Sequence, residues 1–357
     1  MITPAIETLI NHPVSFLSCS GNSEGIAIST RIRLARNLEQ HPFPIAATAE
    51  DLAEICRQVT RAAAETEVFG KSEAMIFKMS QLSQLDREVL LERRLVSKEF
   101  LKTPANRELL VCPQEACSLM INEEDQLRLQ SIRPGLQLQQ VWKEVSKIDD
   151  QLGKHLNFAF DDQLGFLSCC PTNVGTGLRA SVMLHLPALC LTGIMPQTID
   201  GINKLRLTVR GVAGEGSKNS GDLFQISNQS TLGESESKII SYLDSVIRQL
   251  ISHEKNARRQ LLEKDRYHLL DHVGRAYGLL RHSYSISSEE TLQALSGLRL
   301  GAELGLFNNI DINKVNELFI ATSPGHLQKH FGKELSQGER DILRASLCRD
   351  VLRQTLQ

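Results

Sequence analysis

Three consecutive carboxylates, Glu123, Glu124 and Asp125, follow Asn122 at the end of a stretch that is typical of a β-strand. Adjacent carboxylates repel one another unless a cation lies in front of them, and a metal ion, an ammonium group or a guanidinium group would serve. Arg128 follows three residues later. An acidic tetrad taken alone is most often a solvated turn, so its meaning depends on what the rest of the chain supplies.

Segments that combine arginine with alternating apolar residues or with glycine recur at Ser29–Arg36, Gly175–Arg179 and Arg210–Gly216. In the first segment, a period of two places Arg31 and Arg33 side by side on one face of a strand or strand-like loop. Alternating arginines usually form a hydrated sheet surface, but two guanidinium groups in line can also clamp phosphate oxygens. Together the segments predict that a polyphosphate is enclosed beside the acidic tetrad.

The segment that begins at Cys170 is interpreted as a strand that gives way to a glycine-bearing loop and then to a helix ending near Cys190. Arg179 would lie in the first turn of that helix, where backbone N–H groups face an anion. The glycine spacing is neither that of GxGxxG nor that of a Walker A loop, so neither standard nucleotide-binding fold is indicated. His185, inside the predicted helix, is expected to be a hydrogen-bonded packing residue.

Two further strands are predicted over 205–210 and 222–228, joined by a glycine-rich loop. Arg210 lies at the base of this loop and Glu215 lies inside it. An arginine and a glutamate in such a hairpin tip suggest a lid over a site. A merely mobile hairpin is the alternative.

Periodicity predicts strands over 74–79, 108–112 and 118–121, a β-hairpin over 158–169, and helices over 49–67, 85–95, 141–152, 235–254, 255–280, 288–301, 312–321 and 336–356. Ser288 and Ser336 are expected to be N-caps, the latter in a capping box with Glu339. The change from strands to helices near 252–260 predicts a domain over 1–254 and a small helical domain over 255–357.

The 357 residues are 41% apolar, which is enough for a substantial core without disulfides or a structural metal. A net charge of −2 argues against nucleic acid or an anionic membrane as a partner. The chain lacks the pattern of a secretory signal and any apolar run of membrane-spanning length. Eight cysteines without CxxC spacing are expected to be reduced thiols of a cytosolic protein.

The motifs taken together resemble the guanidino (phosphagen) kinase family, and within it the bacterial protein-arginine kinases. The matching segments, in order, are Ser29–Asn37, Asn122–Asp125, Cys170–Arg179, Arg210–Gly211 with Glu215–Ser217, and Gln225–Gln229. The first motif starts at residue 29, which leaves no room for the helical N-terminal domain of the metabolite-specific relatives. Arg340–Ala345 matches the RDxxRA motif, which in the protein-arginine kinases binds phosphoarginine. The resemblance implies an α+β fold, with an antiparallel β-sheet flanked by helices and a C-terminal all-α domain.

The resemblance also assigns roles by position. Glu124 would act on the substrate guanidinium, with Glu215, Glu123 and Cys170 as the other catalytic residues. The phosphates of ATP would be held by Arg31, Arg33, Arg128, Arg179 and Arg210. The remaining nucleotide contacts would be Ser29, Thr30, Ile32, Arg94, Ala180, Ser181, Val182, Met183, Gly211, Val212, Ala213, Gly214 and Glu215. Phosphoarginine would bind at Arg340, Asp341, Arg344 and Ala345. Arg94 and Met183 stand where the family usually carries histidines.

The implied activity is transfer of the γ-phosphoryl group of Mg-ATP to arginine side chains of proteins, which marks them for regulated proteolysis. Mg²⁺ would arrive with the nucleotide, because no protein-only metal cage is visible. A free-arginine phosphagen kinase and an inactive phosphoarginine-binding adaptor are the alternatives. The resemblance further implies a cytoplasmic, allosteric homodimer, a zinc-binding activator protein and a Clp-type protease as partners.

Overall fold

The structure is a computed structural model that describes residues 6–18, 25–71, 73–211, 221–307 and 309–354. Within these ranges there are ten strands: β1 Ala27–Arg36, β2 Met75–Lys78, β3 Glu108–Val111, β4 Cys117–Ile121, β5 Leu127–Pro134, β6 Phe160–Asp161, β7 Gly165–Phe166, β8 Leu178–His185, β9 Leu207–Gly211 and β10 Leu223–Asn228. Eight of them form an antiparallel sheet in the order β2-β3-β4-β5-β1-β8-β10-β9, while β6 and β7 pair separately.

The helices of the described ranges are α1 Glu7–Ile10, α2 Ala49–Ala64, α3 Gln84–Glu92, α4 Lys98–Lys102, α5 Leu138–Leu152, α6 Pro187–Leu191, α7 Met195–Lys204, α8 Glu236–Lys264, α9 Arg266–His282, α10 Ser288–Glu303, α11 Ile312–Ala321, α12 Pro324–His330 and α13 Gln337–Gln354. The predicted α+β class, with a sheet flanked by helices and a helical C-terminal region, is confirmed. None of the described helices is long and apolar enough to cross a bilayer.

The two faces of the sheet are covered differently. One face packs its apolar side chains, such as Ile32 and Leu34, continuously against α2, α5 and α8. On the other face, α3 and α4 cover the strands from β2 to β4, whereas α9, α10, α11 and α13 cover Ile28, Met183 and Leu223. The middle of that second face carries the polar side chains of β1, β5 and β8, and the sheet thereby holds the candidate site between two helical groups.

The predicted helix after Gly177 is wrong, because residues 178–185 form strand β8. This segment pairs with β1 on one side and β10 on the other, and that double pairing outweighs local helix propensity. Gly177 has φ of +63°, and a Cβ atom there would lie 2.6 Å from the carbonyl oxygen of Ala35. The glycine loop therefore turns the chain into a central strand, and Arg179 does not lie at a helix N-terminus.

The predicted helix break between 254 and 255 is also wrong, since α8 is continuous and the break falls at Asp265. The N-cap of α10 is Ser287 in a capping box with Glu290, one residue before the predicted cap. The capping box of Ser336 with Glu339 is confirmed, because the N–H of Ser336 donates to the Glu339 carboxylate at 2.8 Å and the N–H of Glu339 donates to Ser336 Oγ at 3.4 Å. The division of the chain into domains near residue 254 stays a prediction.

A buried ionic network joins α8 to α6 and α10. Glu254 accepts hydrogen bonds from the backbone N–H groups of Ala188 and Leu189, at 3.1 and 3.0 Å. Arg258 bridges this carboxylate to Glu303, at 2.8 and 2.7 Å, and Arg299 binds the other oxygen of Glu303 at 2.8 Å. Burial raises the pKa of Glu254, and the two carboxylates raise the pKa of Arg258 against the effect of its burial. The charged state of each partner depends on the others.

We expect Arg258→Ala to lower the free energy of unfolding by about 3–5 kcal/mol, because two buried carboxylates lose their cation. Arg248→Ala is the matched control: it lies on the same helix, four residues after Asp244, but its side chain is 67% exposed. Its loss should cost about 0.5 kcal/mol or less. Urea unfolding followed by circular dichroism measures both, and equal costs would contradict the role given to burial.

Candidate active site

The pairing of neighbouring strands places several arginines together on the second face of the sheet, between the two groups of helices. Arg33 of β1 lies directly opposite Arg179 of β8, while Arg31 lies opposite Ser181. Side chains paired in this way have Cβ atoms about 4.5–5.5 Å apart. Arg128 of β5 is close enough to act electrostatically on Arg31, Arg33 and Arg179. The sheet thus brings together four arginines from three strands that are far apart in the sequence.

These guanidinium groups destabilise one another. Burial, together with the charges of Arg179 and Arg128, lowers the pKa of Arg31 to about 10. The pKa of Arg33 is lowered well below its usual value by burial and by the same group of neighbouring cations. The pKa of Arg179 is lowered by burial and then by Arg210 and Arg128. A bound polyanion would relieve this repulsion.

Two side chains of β10 orient the arginines. Arg31 Nη2 donates to Gln225 Oε1 at 2.9 Å, and Arg179 Nη2 donates to Ser227 Oγ at 3.2 Å. Neither acceptor was among the predicted site residues, although both lie in Gln225–Gln229, one of the segments that carry the family resemblance. Alternation along β10 could have indicated that Gln225 and Ser227 share a face.

Donors remain available on this face. The Nε atoms of Arg33 and Arg179 are buried and have no hydrogen-bond partner. An unsatisfied buried donor costs free energy unless something binds to it. Guanidinium donors of this kind suit the oxygens of a phosphate chain. Oxygens of a bound anion would satisfy the two free Nε donors of this cluster.

A cavity of about 470 Å³ adjoins the arginines, between the sheet and the C-terminal helices. Its basic side chains include Arg31, Arg33 and Arg210. The apolar part of its lining consists of Phe16, Leu17, Ile28, Leu91, Met183, Leu223, Leu292, Phe319 and Ile320. A pocket with both basic and apolar lining residues suits a ligand that has a phosphate chain and a planar ring system. The contributions of Phe319 and Ile320, from α11, had no signal in the sequence.

Arg94 also lines this cavity, and its predicted contact with the nucleotide base stays a prediction. It adopts a left-handed backbone conformation with φ of 60°, and its guanidinium carbon lies 5.5 Å from the centroid of the Phe16 ring. Burial and the charge of Arg31 lower the pKa of Arg94 to about 9. Arg94 and Met183, the two departures from the family pattern, both lie at the pocket.

The other residues predicted to contact the nucleotide lie on both faces of β1 and β8. Ser29 and Ser181 share the face of the arginines. Thr30, Ile32, Ala180 and Val182 lie on the opposite face and are buried. Thr30 Oγ1 donates to the carbonyl of Gly135 at 2.7 Å, away from the cavity. Side chains on that face support the strands rather than line the pocket.

The acidic tetrad forms the turn between β4 and β5, and its three carboxylates have different environments. Glu123 and Asp125 are buried, whereas the Glu124 side chain is 45% exposed. Asn122 begins the turn with φ of 63°, and its N–H donates to the carbonyl of Gln126 at 2.8 Å. Only Glu124 is open to a reacting molecule.

Arg128 is the cation that the tetrad requires. Its Nη1 donates to Glu123 at 2.6 Å and its Nη2 donates to Glu124 at 3.1 Å. Ser97 Oγ makes a further hydrogen bond to Glu123. Glu123 thus has two protein partners, and Arg128 links the exposed carboxylate to the arginine face. The prediction that Arg128 holds phosphates remains a prediction.

Asp125 anchors the loop that carries Cys170. Its carboxylate accepts hydrogen bonds from Asn37 Nδ2 at 2.7 Å, from Ser168 Oγ at 2.8 Å and from the N–H of Cys169 at 2.8 Å. Cys170 itself is half-buried, and its Sγ lies 3.0 Å from Thr172 Oγ1. The third acid of the tetrad therefore supports the site and cannot act on a substrate.

Arg210 and Gly211 end strand β9 and line the cavity, with Arg210 in register with Gln225. The residues that follow in the predicted lid, Val212, Ala213, Gly214 and Glu215, lie outside the described part of the chain. His185, predicted to be a packing histidine, is buried between Ser296 and Arg299, each 2.8 Å away. That prediction is confirmed, although His185 ends a strand.

The RDxxRA segment lies on α13. Arg344 is buried and donates to the carbonyls of Thr322 and Ile286, at 2.9 and 3.0 Å, and to Asp341 at 2.5 Å. Arg340 donates to the carbonyl of Leu335 at 2.7 Å, and Ala345 is buried. In this arrangement Arg344 ties three parts of the helical region together. Phosphoarginine binding by these residues stays a prediction.

No group of three or more His, Cys, Asp or Glu side chains is placed to hold a metal ion in the ranges that the structure describes.

Comparison with known proteins agrees with this geometry. Residues 54–257 match the family described as "ATP:guanido phosphotransferase, C-terminal catalytic domain". Residues 266–357 match the "Protein-arginine kinase McsB C-terminal domain". The chain is 45% identical over 349 residues to the protein-arginine kinase of Halothermothrix orenii, covering 98% of this chain and 99% of that one. It is 44% identical over 339 residues to that of Brevibacillus brevis, covering 95% of each.

Two solved structures have folds similar to that of this chain. The substrate-free duplicated taurocyamine kinase from Schistosoma mansoni has a TM-score of 0.57 at 29% identity, over 68% of this chain and 35% of that one. Lombricine kinase has a TM-score of 0.57 at 24% identity, over 71% of each chain, and shows likeness of fold alone.

We expect Asp125→Asn to lower the free energy of unfolding by about 1.5–3 kcal/mol, because several buried donors lose their charged acceptor. Asp150→Asn, an exposed position on α5, is the control and should change stability by less than about 0.5 kcal/mol. Urea unfolding measures both. An unchanged midpoint for Asp125→Asn would show that the anchoring role is wrong.

Proposed function

We propose a reaction for this chain from the premise that it belongs to the ATP:guanido phosphotransferase family, and within that family to the protein-arginine kinases. It is an enzyme that transfers the γ-phosphoryl group of ATP to the guanidinium group of arginine side chains in proteins. The observation that carries the proposal is the juxtaposition of a mutually repelling arginine cluster with one exposed carboxylate, Glu124, linked to it through Arg128.

The arginine cluster fits ATP. Arg31, Arg33 and Arg179 would bind the triphosphate, with Arg210 at the edge of the pocket, and the unpartnered Nε donors would gain acceptors. The apolar lining residues would contact the adenine ring, among them Met183 and the residues of α11. Arg94 would stack on the ring through its planar guanidinium. Positioning and charge stabilisation of this kind supply most of the catalysis in phosphoryl transfer.

Glu124 would act on the substrate arginine. A guanidinium group is a poor nucleophile because its lone pairs are delocalised and it stays protonated at neutral pH. The Glu124 carboxylate would orient the group and accept one proton as a nitrogen attacks the γ-phosphorus. A phosphorus–nitrogen bond forms, the bond from the γ-phosphorus to the bridging oxygen breaks, and ADP leaves. Glu215 would provide a second carboxylate contact, and Cys170 would lie beside the guanidinium.

Mg²⁺ is proposed to arrive with ATP and to neutralise phosphate charge during transfer. Marking of proteins for proteolysis, a homodimer, a zinc-binding activator and a Clp-type protease are proposed on the family resemblance alone. So are a cytoplasmic location and allosteric control through Arg340, Asp341, Arg344 and Ala345.

We expect Glu124→Gln to lower the rate of phosphorylation of an unstructured arginine-containing protein by about 10²–10⁴-fold, because the amide cannot accept the proton. The measurement is incorporation of label from γ-labelled ATP that is acid-labile and alkali-stable. Glu73→Gln, an exposed position far along the chain from the tetrad, is the control and should keep the wild-type rate. If the Glu124→Gln variant incorporated label at the wild-type rate, the proposed mechanism would be wrong.

The same assay separates protein from metabolite substrates. Wild-type enzyme should label the protein while millimolar free arginine alone drives no ADP production. Rapid ADP formation with free arginine would favour the metabolite kinase. No label on any substrate, with ATP still bound, would favour an adaptor.

We expect Phe319→Ala to raise the KM for ATP by about 10-fold with little change in kcat, because it removes apolar contact at the ring end of the pocket and leaves the phosphate end intact. Phe331→Ala, outside the lining of this pocket, is the control. An unchanged KM for ATP in the Phe319 variant would place the adenine elsewhere.

A further inference from the structure

A second basic surface lies near the acidic tetrad, at the edge of the sheet that is formed by β2 and β3. A groove of about 710 Å³ runs between α2 and the outer strands β2 and β3. Four basic side chains line it: Arg57 and Arg61 from α2, Lys78 from β2, and Arg107 immediately before β3. Glu108 is the single carboxylate in its lining. We call this surface the basic groove.

The charge of the basic groove is only partly neutralised by the protein. Glu108 accepts a hydrogen bond from Thr60 at 3.0 Å and lies opposite Lys78 in the strand register. Arg57 pairs with Glu54 on its own helix. Arg61 and Lys78 are exposed. Four cations against one lining carboxylate favour an anionic occupant, by charge complementarity.

Helix α2 and the segment before β3, which line the basic groove, also hold the acidic tetrad in place. Asn122 Nδ2 donates to the carbonyl of Leu52 on α2 at 2.8 Å and to the carbonyl of Asn106 at 2.9 Å. Arg107 is held by the carbonyls of Glu99 and Phe100, each at 2.7 Å, and lies within electrostatic reach of Glu123. A polypeptide with one side chain at Glu124 would therefore have neighbouring residues near this groove.

We propose that the basic groove binds an acidic segment of the protein substrate, and that the enzyme therefore prefers arginines with Asp or Glu residues nearby. This inference rests on the proposed function. The tetrad repels acidic residues at the reaction site itself, so a separate basic surface is needed to hold them. Strand β2 is an edge strand that pairs only with β3, so an extended chain has room to lie beside it. Free arginine has no such segment and gains nothing from the groove.

The test uses two unstructured peptides that each contain one arginine. One has three Asp or Glu residues on each side of it, and the other has Asn and Gln at the same positions. We expect the wild type to phosphorylate the acidic peptide with about tenfold higher kcat/KM at low ionic strength. The ratio should fall towards one as salt is added, because exposed charges are screened.

The variant Arg61→Glu with Lys78→Glu reverses two exposed charges of the groove and touches none of the proposed catalytic residues. It should lose the preference for the acidic peptide and keep the wild-type kcat/KM for the neutral one. The control, Lys143→Glu with Lys204→Glu, makes the same charge change at exposed positions outside the groove lining and should keep the preference.

Equal kcat/KM values for the two peptides in the wild type would overturn the groove proposal, as would a preference that survives in the groove variant. An acidic peptide without arginine that binds the wild type but does not compete with the acidic substrate would assign the groove to another partner, and this also overturns it. If neither peptide is labelled, the proposed kinase function fails instead, which distinguishes the two failures.

Discussion

Repulsion among guanidinium groups is the constraint on which this structure depends. Arg31, Arg33 and Arg179 are held on one face of a sheet with their pKa values lowered by burial and by each other's charge. Such an arrangement is unfavourable without an anion and is tolerated because the continuous core on the opposite face stabilises the strands. A polyphosphate bound here would remove the repulsion that folding imposes, and this supports the proposal that these arginines hold the phosphates of ATP.

The three adjacent acids also differ in how deeply they are buried. Asp125 is fully buried and accepts hydrogen bonds from Asn37 and from the 168–169 segment, so it fixes the Cys170 loop. Glu123 is buried against Arg128 and Ser97. Glu124 alone reaches solvent. The three adjacent acids of this turn therefore consist of two buried, hydrogen-bonded carboxylates and one exposed carboxylate.

The C-terminal helices contact the sheet through buried charged groups and also line the pocket. Arg299 binds His185 at the end of β8, Glu303 of its own helix and the carbonyl of Gly25. The same helical region supplies Phe319 and Ile320 to the apolar lining of the pocket. Because one set of buried charges fixes these helices against the sheet, the shape of the pocket depends on contacts between distant parts of the chain.

The sequence by itself determined that Arg31 and Arg33 share one face of a strand, because side-chain direction along a strand is a local property with a period of two. It also determined most helices, the Ser336 capping box and, through its motifs, the family. Only the tertiary structure decided that Arg179 lies on a strand beside Arg33, that Gln225 and Ser227 orient the arginines, and that Glu124 is the exposed acid. These facts depend on strand register and on burial, which arise from contacts between residues far apart in the chain and leave no local pattern.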